Sequence, residues 1–262
     1  MIAEQIISEI EIDSVKTLID ILDADKLQAE FHSHIRIWYR GQGNIEWPLQ
    51  PKLYRQQFKP LNEKDRRDIG SHLSREFKSM SGAHLTGSES NEELYFLQQH
   101  YGLMTGLLDW TNNPLVALWF AVNEEPGLDG VLHMMDVYQM KNLHKNFGIA
   151  LPSHGMFVSA IKNIYSFGSE GEVPSAIFPI RPDHKNQRIT HQQSFFTFHV
   201  PNDTTLSEKN NPTLRRFRIP LKYKASIKKT LRLIGINSYF IFGTLDHLSK
   251  ELEYAYIGRW HE

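Results

Sequence analysis

Two short stretches carry side chains of the types and spacing that could do chemistry together. In the first, Ile35, Ile37 and Tyr39 alternate with Arg36, Trp38 and Arg40 in a strand that runs into Gly41-Gln42-Gly43. An arginine ending a strand, with glycine leaving room beside it, can aim a planar guanidinium into a cleft, where its fork suits phosphate or carboxylate. In the second, an apolar strand over Thr105–Trp110 ends in Asp109, Trp110 and Thr111, directly before a helix opening at Asn113-Pro114. Polar residues at a strand-to-helix switch lie beside the helix's N-terminal amides, where sites are often built. Plainer readings stand beside these: a surface arginine paired with a neighbouring carboxylate, Asp109 and Thr111 as simple caps, and Trp110 as core. The 13 histidines are scattered, without an HExxH pair, so no metal site is expected.

The elements that must position these groups are read from periodicity. Asn113 is a good N-cap and Pro114 suits a first helical turn. Leu115, Leu118 and Trp119 then form a face spaced for burial against a sheet. Upstream, Ser90 and Glu93 fit a capping box opening a helix that ends near Gln99, linked to the strand by His100-Tyr101-Gly102. A first helix is expected over residues 13–31, capped by Asp13 or Ser14, with Val15, Leu18, Ile19 and Leu22 facing inward. The segment containing Trp47, Leu49 and Leu53 is stiffened by prolines and plugs the core. Glu63–Met80 reads as a helix with Ile69, Leu73 and Phe77 on one face. Residues 131–138 read as a strand in which His133 is expected to be a satisfied structural histidine.

Residues 139–180, punctuated by glycine and proline, read as long loops around a mouth. A strand pair follows, with Phe196 and Phe198 on one face of the second strand. The C-terminal part reads as a short strand, a turn at Gly243-Thr244 and a closing helix. From Leu214 to Arg232 there are eight basic residues and no acidic one. Arg215, Arg216, Lys228 and Lys229 are candidates for following a nucleic-acid backbone, with Phe217 and Tyr223 available for stacking. The same run also fits a solvated strand and helix.

Composition sets the bounds. The chain has 262 residues, 29 basic and 30 acidic, for a net charge of −1, so any nucleic-acid contact must be local. The absence of cysteine excludes disulfides and thiolate metal sites. No basic signal start or bilayer-length apolar run is present. A cytoplasmic protein with no membrane contact is expected.

These residues resemble the FRG domain family. The signature is Trp38-Tyr39-Arg40-Gly41-Gln42, followed by Trp47-Pro48-Leu49 and Pro51-Lys52-Leu53-Tyr54-Arg55. Gln99-His100-Tyr101-Gly102 and Leu107-Leu108-Asp109-Trp110-Thr111 come next, with Pro114 and Ala117 downstream. Weaker matches are Arg188-Ile189, Gln192, Phe196, Gly235-Ile236 and Leu245-Asp246; Met104 and Ser194 depart from the pattern. The layout is further similar to that of ADP-ribosyltransferases, which implies an α+β fold with a split β-sheet core and flanking helices. The implied organisation is an N-terminal helical segment at 1–34, one domain over 35–250 and a tail of that domain at 251–262. The resemblance implies NAD as substrate and ADP-ribose transfer to RNA, DNA or protein, in the manner of a toxin held in check by an antitoxin or other inhibitor. Arg40, with Gly41 and Gln42, would clamp an NAD phosphate, and Asp109-Trp110-Thr111 would hold the nicotinamide ribose. His100 and Tyr101 would lie at the nicotinamide, and Gln192 would occupy the first position of the catalytic pair. The second position falls on Ser194, so the carboxylate must come from Asp109 or a loop glutamate such as Glu170 or Glu172. The alternative is a module that binds a nucleotide or nucleic acid without cutting it.

Overall fold

The computed structural model describes residues 10–24, 36–55, 62–140, 149–166, 176–182, 190–201, 203–207 and 211–257. Among the described residues, six strands form one antiparallel sheet: β1 (Ile37–Gln42), β2 (Leu107–Thr111), β3 (Gly130–Asp136), β4 (Phe178–Ile180), β5 (Ser194–Phe198) and β6 (Arg215–Ile219), in the order β4-β5-β2-β1-β3-β6. The expected α+β class holds, with a single hydrogen-bonded sheet where a split one was expected. The sheet is nonetheless nearly divided. β1 pairs with β3 along its whole length, and β2 pairs with β5 over five positions, but β1 meets β2 only at Tyr39 opposite Thr111. The interior of the fold is thus two three-stranded ribbons held edge to edge by one backbone rung.

Helices cover both faces. They are α1 (Val15–Ala24), α2 (Glu63–Met80), α3 (Asn91–His100), α4 (Pro114–Asn123), α5 (Gly155–Tyr165), α6 (Leu221–Leu233), α7 (Ser238–Phe242) and α8 (Leu245–Ile257). The helix expected at 13–31 is described as far as Ala24. Leu18 is fully buried, whereas Ile19 is exposed because it lies on the outer side of the turn. α2 has the expected bounds, but its buried line runs through Gly70, Ser71 and Ser74, and the Ser74 hydroxyl donates to Gln98 Oε1 of α3 at 2.9 Å. Small residues bring the two helices close, which leaves Ile69, Leu73 and Phe77 half-buried. Ser90 and Glu93 form the expected capping box.

Three further expectations are corrected. The stretch expected to be loop contains α5, because His154 caps it by accepting the Met156 N–H, and Phe157, Ala160 and Ile161 pack on Phe96 and Phe198. Glycine and proline around these residues hide a helical spacing only one face wide. The short strand expected before Gly243 is the helix α7: Asn237 accepts the Phe240 N–H, and Gly243 takes the left-handed C-cap conformation at φ 65°. Trp47 and Leu53 are only half-buried, and Tyr54 plugs the core in their place, donating to the His199 carbonyl at 3.2 Å.

α4 lies directly on β1 and is buried nearly all round, at Val116, Ala117, Leu118, Trp119, Ala121 and Val122. That contact needs glycine. A Cβ at Gly41 would stand 1.8 Å from the Ala117 carbonyl oxygen, and one at Gly43 would stand 2.4 Å from the Glu124 carbonyl oxygen. The Gly-Gln-Gly run therefore serves helix packing; Gly41 admits α4 more than it makes room for the arginine.

Two core histidines make the fold acid-sensitive. His133 Nε2 shares a hydrogen bond of 3.0 Å with Gln42 Oε1, as a structural histidine should. Burial, reinforced by Arg40 and Arg216, pushes its imidazole down to about 3. His199 lies between the Thr197 hydroxyl and the Thr204 carbonyl, and burial pushes it down to about 3 as well. Folding holds both rings neutral, so their contribution is complete above the unfolded value near 6.5 and is lost as pH falls from there toward 3. We expect urea stability to fall between pH 7 and pH 5 by about 2 kcal/mol per ring. The His133→Gln variant should show a shallower decline; equal slopes in the two proteins would refute the assignment.

Candidate functional site

The site opens where β1 and β2 stop pairing. One position past their single rung, Arg40 spans the gap with its side chain, and its Nη1 donates to the Asp109 carbonyl at 2.7 Å. The Asp109 carboxylate lies 3.9 Å from the same nitrogen. Asp109 is the one exposed residue of β2; its Oδ2 accepts a hydrogen bond from Gln99 Nε2 at 2.8 Å, while Gln99 Oε1 accepts one from the Thr105 hydroxyl. Helix α3 thereby aims the carboxylate. Burial draws the Arg40 guanidinium below its ordinary value, against the pull of Asp109, but it remains a cation at neutral pH.

Thr111 organises the exit of β2. Its hydroxyl donates to the Gln192 carbonyl at 2.7 Å and accepts the Asn113 N–H at 3.0 Å. This ties the strand to the turn before β5, where Gln193 has φ 48°, a conformation that is costly outside glycine. Asn113 Oδ1 closes the N-terminus of α4 by accepting from Leu115 and Val116. That end of the helix is internally capped, so the cations of this site, rather than helix amides, must meet any anion.

The opposite wall comes from residues that periodicity could not connect with it. Lys52 and Arg55 follow the proline-rich segment, and Glu124 caps the C-terminus of α4. Lys52 donates to the Gly102 carbonyl at 2.9 Å, and Arg55 Nε donates to the Gln50 carbonyl at 3.0 Å. Glu124 is exposed as a residue, and its carboxyl group lies close enough to the Gly43 backbone and the Arg40 guanidinium for both to favour its charged form. Desolvation there raises the carboxyl above its usual range, more than Arg40 lowers it. The rim is fastened from behind by Lys224, only 3% exposed, whose ammonium donates to the carbonyls of Gly43, Glu124 and Glu125 at 2.8, 3.0 and 2.9 Å. All three of its protons are used.

Together these walls enclose a cavity of about 270 Å³ lined by Arg40, Lys52, Arg55, Gln99, Asp109, Glu124, Gln192 and Ser194, among others. Three cations thus face two carboxylates. Two buried donors on the wall have no acceptor among the described residues: Arg40 Nε and the Nε2 of Gln192, the latter residue being 8% exposed. Orphaned donors in a cationic cleft call for a ligand rich in acceptors.

The structure brings Arg40, Gly41, Asp109, Trp110, Thr111 and Gln192 to this cavity. Trp110 contributes as core, 2% exposed and donating to the Thr197 hydroxyl. Gln42 does not reach the cavity: its amide is spent on His133 and the Pro48 carbonyl. Neither do His100 and Tyr101, whose rings pack edge to face at 4.9 Å outside the lining, with Tyr101 71% exposed. They ride at the C-terminal turn of α3, whose inward residue is Gln99. Glu170, Glu172 and Arg188-Ile189 lie outside the described residues.

The basic run is partly spent internally. Lys224 is buried, Arg218 pairs with Asp129 and Glu11, and Arg232 pairs with Glu251. Arg215, Arg216 and Lys229 are exposed on or after edge strand β6, Arg216 donating to the Ile45 carbonyl, and Lys228 is half-buried; none lines the cavity. Among the described residues, no cluster of histidine, aspartate and glutamate is arranged to hold a metal, and no helix is long and apolar enough to cross a membrane.

The domain-family model that matches this chain, over residues 35–129, is that of the FRG domain. That span includes β1, Lys52, Arg55, Asp109 and Glu124, and so supplies most of the cavity wall. No curated protein and no solved structure matches the chain.

Proposed function

We infer, from the FRG domain match over residues 35–129 and from the cavity, an NAD-consuming ADP-ribosyltransferase that modifies a macromolecule. The observation that carries this reading is the meeting of Arg40, Asp109 and Glu124 in one cleft at the near-break between β1 and β2. The opening between two half-sheets also supports the layout similarity to ADP-ribosyltransferases. The cavity is smaller than the roughly 300–1,000 Å³ typical of small-molecule sites, so it encloses part of a dinucleotide and leaves the rest at the mouth.

In the proposed reaction, the bond between the nicotinamide nitrogen and ribose C1′ breaks, and its electron pair leaves with neutral nicotinamide. The cationic, oxocarbenium-like ribose is stabilised by the Asp109 carboxylate, which is fixed by Gln99 and therefore needs little reorganisation. An acceptor hydroxyl or amine then bonds to C1′, and its proton passes to Glu124. Arg40 holds the phosphates. The acceptor class, RNA, DNA or protein, and any role as a toxin with a dedicated inhibitor belong to the same proposal. The exposed basic residues near β6 are the proposed nucleic-acid contact.

The test is to incubate the full chain with adenylate-labelled NAD and RNA, DNA or cell protein, and to measure nicotinamide release and label transfer. Asp109→Asn should lower release at least about 100-fold, the scale of losing one transition-state contact, while folding is retained. Release unaltered by Asp109→Asn would remove that residue from the reaction. Ser194, where the related enzymes would carry a carboxylate, favours the second reading of a nucleotide-binding module. NAD binding without nicotinamide release would establish it.

A further inference from the structure

Arg55 shares the cavity with Arg40, and its position asks for more than a general positive charge. The two guanidinium groups are close enough for Arg40 to feel Arg55 as a like charge, yet neither has a tight carboxylate partner. Arg40 spends Nη1 on a backbone carbonyl, with the Asp109 carboxylate 3.9 Å away, and keeps a buried Nε unpartnered. Arg55 spends Nε on the Gln50 carbonyl, and among the described residues its two Nη groups have no hydrogen-bond acceptor. In the wall of the same cavity, just before β5, the buried Gln192 amide leaves its Nε2 donor open. Two like-charged forks in one partly desolvated cleft repel each other, an effect that the Asp109 and Glu124 carboxylates offset only in part, and each planar fork matches one phosphate.

We propose that Arg40 and Arg55, with the Gln192 amide, form a site that selects a diphosphate ester over a monophosphate. Arg40 takes one phosphate, Arg55 takes the second, and Gln192 donates to an oxygen of the pair. The site deepens the NAD reading by naming the part of the ligand that is recognised, but it concerns binding alone and stands whether or not a glycosidic bond is broken.

Titration calorimetry of the full chain with ADP and with AMP tests this. ADP should bind at least about tenfold more tightly than AMP, the ratio that one additional charge-assisted contact supplies. Arg55→Gln should bring ADP down to the affinity of AMP while changing AMP by less than about twofold, and Arg55→Lys, which keeps the charge but not the fork, should recover only part of the preference. Equal affinities for ADP and AMP in the unaltered chain, or no binding of either, would overturn the proposal without any variant. An equal loss for both ligands in Arg55→Gln would also overturn it, since that is the signature of general electrostatics. Diphosphate preference without nicotinamide release would sink the transferase reading and leave this site standing; release without diphosphate preference would do the reverse.

Discussion

Arg40→Lys is expected to weaken NAD and ADP binding at least about 100-fold and to abolish nicotinamide release. The guanidinium does two things at once: Nη1 bridges β1 to the Asp109 carbonyl, while Nε stays free for a ligand. A lysine ammonium is a single point donor and cannot serve the carbonyl and a phosphate from one planar fork. The charge is retained in this variant, so any loss belongs to geometry. Calorimetry with ADP, alongside a thermal melt to confirm folding, provides the measurement. An affinity within a few-fold of the original would mean that Arg40 is only a strut between the ribbons.

The second large effect is on folding. Gly41→Ala should destabilise the protein by more than about 4 kcal/mol, a large part of the stability of an ordinary domain. The new methyl would fall 1.8 Å from the Ala117 carbonyl oxygen and 2.7 Å from the Ala121 nitrogen. Both are backbone atoms of α4, which cannot swing aside as a flexible side chain would. Relief requires lifting a helix that buries six residues against the sheet. Gly127→Ala is the control, since its added methyl would meet nothing within 4 Å. Urea unfolding of the two variants should separate them clearly; similar midpoints would show that α4 sits less tightly on β1 than these distances imply.

What could be read from the chain beforehand was local. The capping box at Ser90 and Glu93, the Asn113-Pro114 start of α4 and the alternation through Arg40 each declare themselves within a few residues, because caps and periodicity are short-range signals. Arg40 and Asp109 stood out because each reads as lying near the end of a strand, although β1 runs on to Gln42 and β2 to Thr111. Glu124, by contrast, lies in a run that reads as an ordinary turn, and Arg55 looks like the end of a packing segment. Only the approach of α4 to β1 brings Glu124 to the cleft, and that approach depends on contacts between residues about eighty apart in the chain, Gly41 with Ala117 and Gly43 with Glu124; Arg55 is held there by its bond to the Gln50 carbonyl. The placement of His100 and Tyr101 followed family order, but a helix turns about 100° per residue, so adjacent positions in α3 point in different directions and Gln99 faces the cavity instead. The basic run was equally opaque: a count of charges cannot distinguish Lys224, sealed inside, from Lys229 on the surface.

That last distinction bears on how an acceptor surface should be mapped. A charge-reversal scan through α6 that included position 224 would put a carboxylate against three carbonyl oxygens and detach the rim that carries Glu124. Loss of the proposed transfer would then have a cause unrelated to any polynucleotide, and the defect would be mistaken for lost docking. A scan limited to solvent-facing cations, with Lys224 left intact as the rivet joining this helix to the rim of the cavity, separates the two causes.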